Sequence, residues 1–89
     1  MARLLLKGAE EALGTNTAGA KIFSNAKVVL VVNTSSTAYL VTLVAAVGGS
    51  TLGSFTLAGG DSVELEKDPL NGIFAENAAV KAAAIGYSN

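Results

Sequence analysis

The fold turns on one stretch, Val28-Val29-Leu30-Val31-Val32-Asn33-Thr34-Ser35-Ser36-Thr37-Ala38-Tyr39-Leu40-Val41-Thr42-Leu43-Val44-Ala45-Ala46-Val47-Gly48-Gly49. β-Branched and aromatic residues dominate it, and these favour a pleated, half-buried backbone. The polar run Asn33 to Thr37 divides it after five apolar residues, too few for a spanning helix, which needs about 20. The second run, Ala38 to Val47, stops at a glycine pair, so two strands joined by a turn fit better. Val28 to Val32 is apolar at both parities, which predicts cover on both faces. In Ala38–Val47 the pattern places Tyr39, Val41, Leu43 and Val47 on one face and Leu40 and Val44 on the other. A sandwich hides one apolar face, and a subunit interface would hide the other.

The same rhythm continues outward. Arg3 to Lys7 reads as a first short strand, and Ala9 to Leu13 as either one helical turn or a strand. Gly14 to Gly19 is a polar loop. Beyond Gly48-Gly49, Leu52 to Leu57 is a strand, and Ala58-Gly59-Gly60-Asp61 is a tight turn read as a second hairpin. Ser62 to Lys67 alternates, with Val63 and Leu65 on one side and Ser62, Glu64 and Glu66 on the other, as expected of a charged edge strand. Asp68 to Gly72 is a turn, Ile73-Phe74-Ala75 a short apolar insertion, and Ala79 to Tyr87 the last strand. The prediction is an all-β chain: a small antiparallel β-sandwich or flattened barrel of about seven short strands. It forms a single domain over 1–89, in which 1–25 is either an N-terminal arm or a peripheral strand.

Composition narrows the function. The chain has 89 residues, 51% of them hydrophobic and 15% charged, with net charge −1 and no Cys, His or Trp. Disorder needs the opposite balance. A nucleic-acid binder would carry a basic stripe. Without His or Cys there is no catalytic triad of the usual kind, no zinc cluster and no disulfide. No cofactor or metal is expected, and no membrane partner. A core this small is marginal alone, so self-association as a homo-oligomer is expected.

Each motif has a plain reading. Glu64 and Glu66 lie roughly 7 Å apart along one strand face, within glycosidase range. They share one exposed element, whereas a catalytic pair needs two environments that push its pKa values apart, so solvated edge charge is preferred. Asp61, Glu64 and Asp68 lack calcium-loop spacing. Gly48-Gly49-Ser50 and Gly59-Gly60-Asp61 lack the lysine and helix of a phosphate loop. Asn33-Thr34-Ser35 matches a glycosylation acceptor by chance. Phe23, Tyr39, Phe55, Phe74 and Tyr87 occur one per element, the distribution of core anchors. The chain is not expected to be an enzyme.

Three segments carry a resemblance: Val31 to Leu43, Gly53 to Lys67, and the ending Val80-Lys81-Ala82-Ala83-Ala84-Ile85-Gly86-Tyr87-Ser88-Asn89. Together they resemble small virion proteins of tailed bacteriophages, especially those of marine and cyanobacterial hosts. The resemblance implies a structural role, foremost a capsid decoration (cement) protein bridging capsomers, often as a trimer at three-fold positions. The implied partner is the major capsid protein or another virion protein, and the implied location is the virion, after synthesis in the host cytoplasm. A neck, tail or fibre-attachment component fits the same pattern, and a cellular β-sandwich interaction module is the competing class. The residues expected to make the contact are Leu40, Val44 and Ala46 on the surplus apolar face, with Arg3, Leu4, Leu5 and Leu6 of the N-terminal segment.

Overall fold

A computed structural model describes residues 3–88 and shows an all-β chain of two antiparallel sheets. The strands are β1 (Arg3–Leu6), β2 (Glu11–Ala12), β3 (Val28–Asn33), β4 (Tyr39–Val44), β5 (Thr51–Leu57), β6 (Ser62–Glu66), β7 (Gly72–Ala75) and β8 (Val80–Ser88). The larger sheet runs β1-β8-β3-β6, with β2 also paired to β8. β1 takes the Ile85–Ser88 end of β8 and β2 the Lys81–Ala82 end, so together they form one interrupted edge. The smaller sheet runs β5-β4-β7. The only described helix is a 3-10 turn at Thr17–Gly19, capped by Asn16, whose side chain accepts from the Gly19 N–H at 2.8 Å. Among the described residues no helix is long and apolar enough to cross a membrane.

The core lies between the sheets. Val29 and Val31 of β3 and Val80, Ala82 and Ala84 of β8 face Val41 of β4, Leu57 of β5 and Ile73 and Ala75 of β7. Leu13 and Phe23 close its flanks, and Tyr39, Leu43, Phe55, Val63 and Leu65 pack around it. These positions alternate along their strands because only every second side chain of a strand points to one face. β6 is an edge, and its Ser62, Glu64 and Glu66 are exposed as the alternation predicts. Ile73-Phe74-Ala75, read from sequence as an insertion, is a full strand of the smaller sheet. Its length of four residues hid a period-2 pattern.

Two ends of the sandwich differ in character. At one end the chain crosses between sheets three times, through the β3–β4, β5–β6 and β7–β8 links. Asn33, fully buried, holds this crossover end together. Its side-chain amide donates to the Thr37 and Leu57 carbonyls at 2.8 and 3.0 Å. Its side-chain oxygen accepts from the Ser35 N–H at 3.0 Å and the Ser35 hydroxyl at 2.8 Å. Its backbone accepts from Gly60 N–H and donates to the Asp61 carbonyl, both at 3.0 Å. The Gly59-Gly60-Asp61 turn is therefore a corner between sheets, since β5 and β6 are not paired. An apolar strand cannot turn a sheet corner without satisfying its freed backbone groups, and Asn33 does that.

The opposite, open end gathers the β4–β5 hairpin, the β6–β7 link, the chain before β3 and the tips of β1 and β8. The hairpin closes as predicted, with Ala45 N–H donating to Ser50 at 2.8 Å and Gly49 N–H to Ala46 at 2.7 Å. β4 ends at Val44, so Val47 sits in the turn, half-exposed, and not on the core face with Val41. Lys67, next in the inward parity of Val63 and Leu65, is buried here. Its Nζ donates to the Asp68 and Pro69 carbonyls at 3.4 and 3.3 Å.

Candidate functional site

Exposed apolar side chains are not scattered over this molecule. Leu4, Leu5, Leu6, Leu40, Val47, Leu52, Leu70 and Tyr87 are the large ones among the described residues. All but Leu40 lie at the open end. Leu4, Leu5 and Leu6 are on β1, which pairs only with the last residues of β8. Val47 is in the β4–β5 turn, Leu52 at the start of β5, and Leu70 in the β6–β7 link. Leu52 is the extra residue of a β-bulge, because Thr51 pairs with Val44 and Gly53 with Leu43. A bulge re-aims a side chain at the edge of a sheet.

On the outer face of the larger sheet the register sets the exposed Leu4 beside the exposed Tyr87, and the exposed Leu6 beside Ile85, which is itself buried. Ala83, on the same face, pairs with Leu30 and is buried as well. Val28, Leu30 and Val32 remain half-buried there, so β3 has full cover on its core side and open cover on the other. Glu64 and Glu66 rim the face through their pairing with Leu30 and Val28. Glu64 raises the Tyr87 phenol above its ordinary 10.0, chiefly by a hydrogen bond. Exposed apolar side chains gathered toward one end of a small chain suit an interaction site.

Beside this face a groove of about 590 Å³ opens where β3 and β8 diverge. Lys67 N–H donates to the Lys27 carbonyl, so the chain before β3 follows β6 and leaves β8. One wall is Ala84 to Tyr87 of β8 with Lys7, and the other is Phe23 to Val28. Lys7 lies along Gly86: a Cβ at Gly86 would come within 2.9 Å of the Lys7 Cε. The opposite wall is a left-handed turn of three successive non-glycine residues, Phe23, Ser24 and Asn25, at φ 54, 56 and 62. Such residues cost roughly 1–2 kcal/mol each. The buried Phe23 ring anchors the turn in the core, and Ala26 N–H closes it onto the Phe23 carbonyl at 3.1 Å.

The structure treats the sequence-derived contact residues unequally. Leu4, Leu5 and Leu6 are exposed at the open end, and the exposed Ala46 lies in the β4–β5 hairpin at that same end. Arg3 begins β1, and its side chain lies outside the described residues. Leu40 is exposed but belongs to the crossover end, where its N–H donates to the Glu76 carboxylate. Val44 is fully buried and is no contact residue. Its face was read correctly, since Val44 is absent from the main core between the sheets. What covers it is the loop before Lys21: Ala20 and Val44 converge over Gly72, whose missing Cβ would stand 2.8 Å from Ala20 Cβ and 3.3 Å from Val44 Cγ2.

Four exposed residues escaped the sequence reading. Val47 was given a strand position, Leu52 gives no hint of a bulge, and Leu70 follows the only proline in a polar turn. Tyr87 was counted with the core anchors, yet it is 47% exposed, whereas Phe23 is buried and Tyr39 and Phe55 pack on the core. Ile85 shares its parity and is buried, so parity alone gave no signal. The glycosylation match at Asn33 falls on a buried side chain. Among the described residues no three acidic groups converge as a metal site.

No family model matches the chain, and no curated protein or solved structure matches it either.

Proposed function

We propose that this chain is a non-enzymatic virion structural protein of a tailed bacteriophage, a capsid decoration (cement) protein that uses its open end as the assembly face. The concentration of exposed apolar side chains at that end carries the reading, because a lone chain has no use for them and a shell contact buries them. The likeness of its strand-and-turn segments to small phage virion proteins supplies the class of partner. On this reading the crossover end, stapled by Asn33, points away from the shell. Apolar β surface supplies affinity, and the glutamate rim of β6 restricts the contact to one orientation, as charge does at interface margins. A homo-oligomer, a trimer at three-fold positions, follows from the same class.

The test is co-sedimentation with empty shells assembled from the major capsid protein of the phage genome that encodes the chain. Saturable binding at a fixed ratio to capsomers is the expected result. Binding to a neck or tail complex but not to shells would reassign the protein within the virion. Absence of binding to any virion component would overturn the proposal.

A further inference from the structure

The groove at the open end is more than a gap between strands, because one of its walls is an unfinished sheet edge. Along β8 the even-numbered residues turn their backbone groups toward β1 and β2. Lys7 N–H donates to the Ala84 carbonyl at 2.9 Å and Leu13 N–H to the Val80 carbonyl at 3.0 Å. Odd-numbered residues therefore face the β3 side. β3 pairs with β8 only as far as Val29 opposite Ala84. Past that point Tyr87 directs its N–H and C=O into the lane that β3 has left, and no described residue pairs with them.

The lining adds charge of one sign. Lys7 and Lys27 stand on opposite walls, and no carboxylate lines the groove. The Lys7 side chain lies along Gly86. The volume of about 590 Å³ falls within the range of pre-formed ligand clefts, and the left-handed Phe23–Asn25 turn forms part of one wall.

We propose that this groove takes an extended, carboxylate-bearing segment of a partner protein, which adds as a strand beside Tyr87 with its acidic side chains between Lys7 and Lys27. Backbone pairing to an open edge supplies affinity and flanking side chains supply selectivity, the general logic of strand addition. The inference rests on the open end being the assembly face and names the chemistry of what that face receives.

The experiment is a titration of isotope-labelled protein, followed by amide chemical shifts, with a capped hexapeptide alternating valine with glutamate or aspartate. The expected result is saturable shifts confined to Lys7, Lys27, Gly86, Tyr87 and their neighbours. Binding should weaken at least ~10-fold in a Lys7→Glu/Lys27→Glu variant, whose fold is checked by circular dichroism. Three outcomes would overturn the proposal: no shifts at the groove, equal shifts with a lysine-for-acid peptide, or the same shifts saturated by acetate alone. The last would mean a small-anion site without strand addition. Shell binding by the unaltered protein is read separately, so an empty groove and a wrong assembly face give different results.

Discussion

Replacing Asn33 by alanine tests whether one side chain holds the crossover end. Asn33 is fully buried, and its amide group makes four hydrogen bonds at 2.8 to 3.0 Å, two as donor and two as acceptor. Alanine removes all four and leaves the Leu57 carbonyl without its side-chain donor. A hydrogen bond is worth about 1 kcal/mol net, and a buried group left unpaired costs about 1–3 kcal/mol. Ser35 can turn to water, so the two donated bonds dominate and the expected loss is about 3 kcal/mol. For a domain of this size that lowers the melting temperature by roughly 12–24 °C. Asn33→Asp should be worse, because it sets a carboxylate against the carbonyls of Thr37 and Leu57. The assay is urea unfolding monitored by circular dichroism, with thermal melts beside it. A loss below ~1 kcal/mol for alanine, or aspartate milder than alanine, would refute the reasoning.

Other substitutions separate packing from assembly. Val44→Asp places a charge in the pocket closed by Ala20 over Gly72, and should cost more than ~4 kcal/mol and abolish folding, as judged by loss of β-type circular dichroism. Leu70→Asp, on an exposed link at the open end, should change stability by less than ~0.5 kcal/mol while reducing co-sedimentation with shells. Lys67 is held below its ordinary 10.5 by burial, only partly offset by Asp68. Between its lowered value and 10.5 the unfolded chain binds more protons, so Lys67 makes stability rise with pH through that window. Tyr87, raised above 10.0, acts in the opposite sense and only above that pH. Lys67→Met removes that titration and should flatten the rise, which a series of urea midpoints below pH 10 measures.

The two long apolar runs announced β3 and β4, and the alternation in Ser62–Glu66 announced an exposed edge, because both signals are local. Sheet membership was less legible. Nothing in Gly59-Gly60-Asp61 distinguishes a hairpin from a corner, since both need the same tight turn. The difference lies in what Asn33 reaches, from residues as distant as Leu57. Val44 shows the same limit: its parity was readable, but the cover came from Ala20, which sits in a loop with no pattern. At the open end, Leu4, Leu5 and Leu6 were visible as an apolar run between Arg3 and Lys7. Tyr87, Val47, Leu52 and Leu70 were placed at one end only when the topology set the direction of their strands. The groove had no sequence signal, because its left-handed turn uses Phe23, Ser24 and Asn25 with no glycine to mark it.

The most direct test of the assembly face is the solution mass by light scattering over a concentration series, for the natural chain and for Leu4→Asp/Leu6→Asp. Both side chains are exposed on β1 and outside the core, so the variant should keep its β-type circular dichroism. The account predicts a discrete oligomer, a trimer, for the natural chain and a monomer for the variant. A natural chain that stays monomeric at high concentration, or a variant that assembles unchanged, would contradict it.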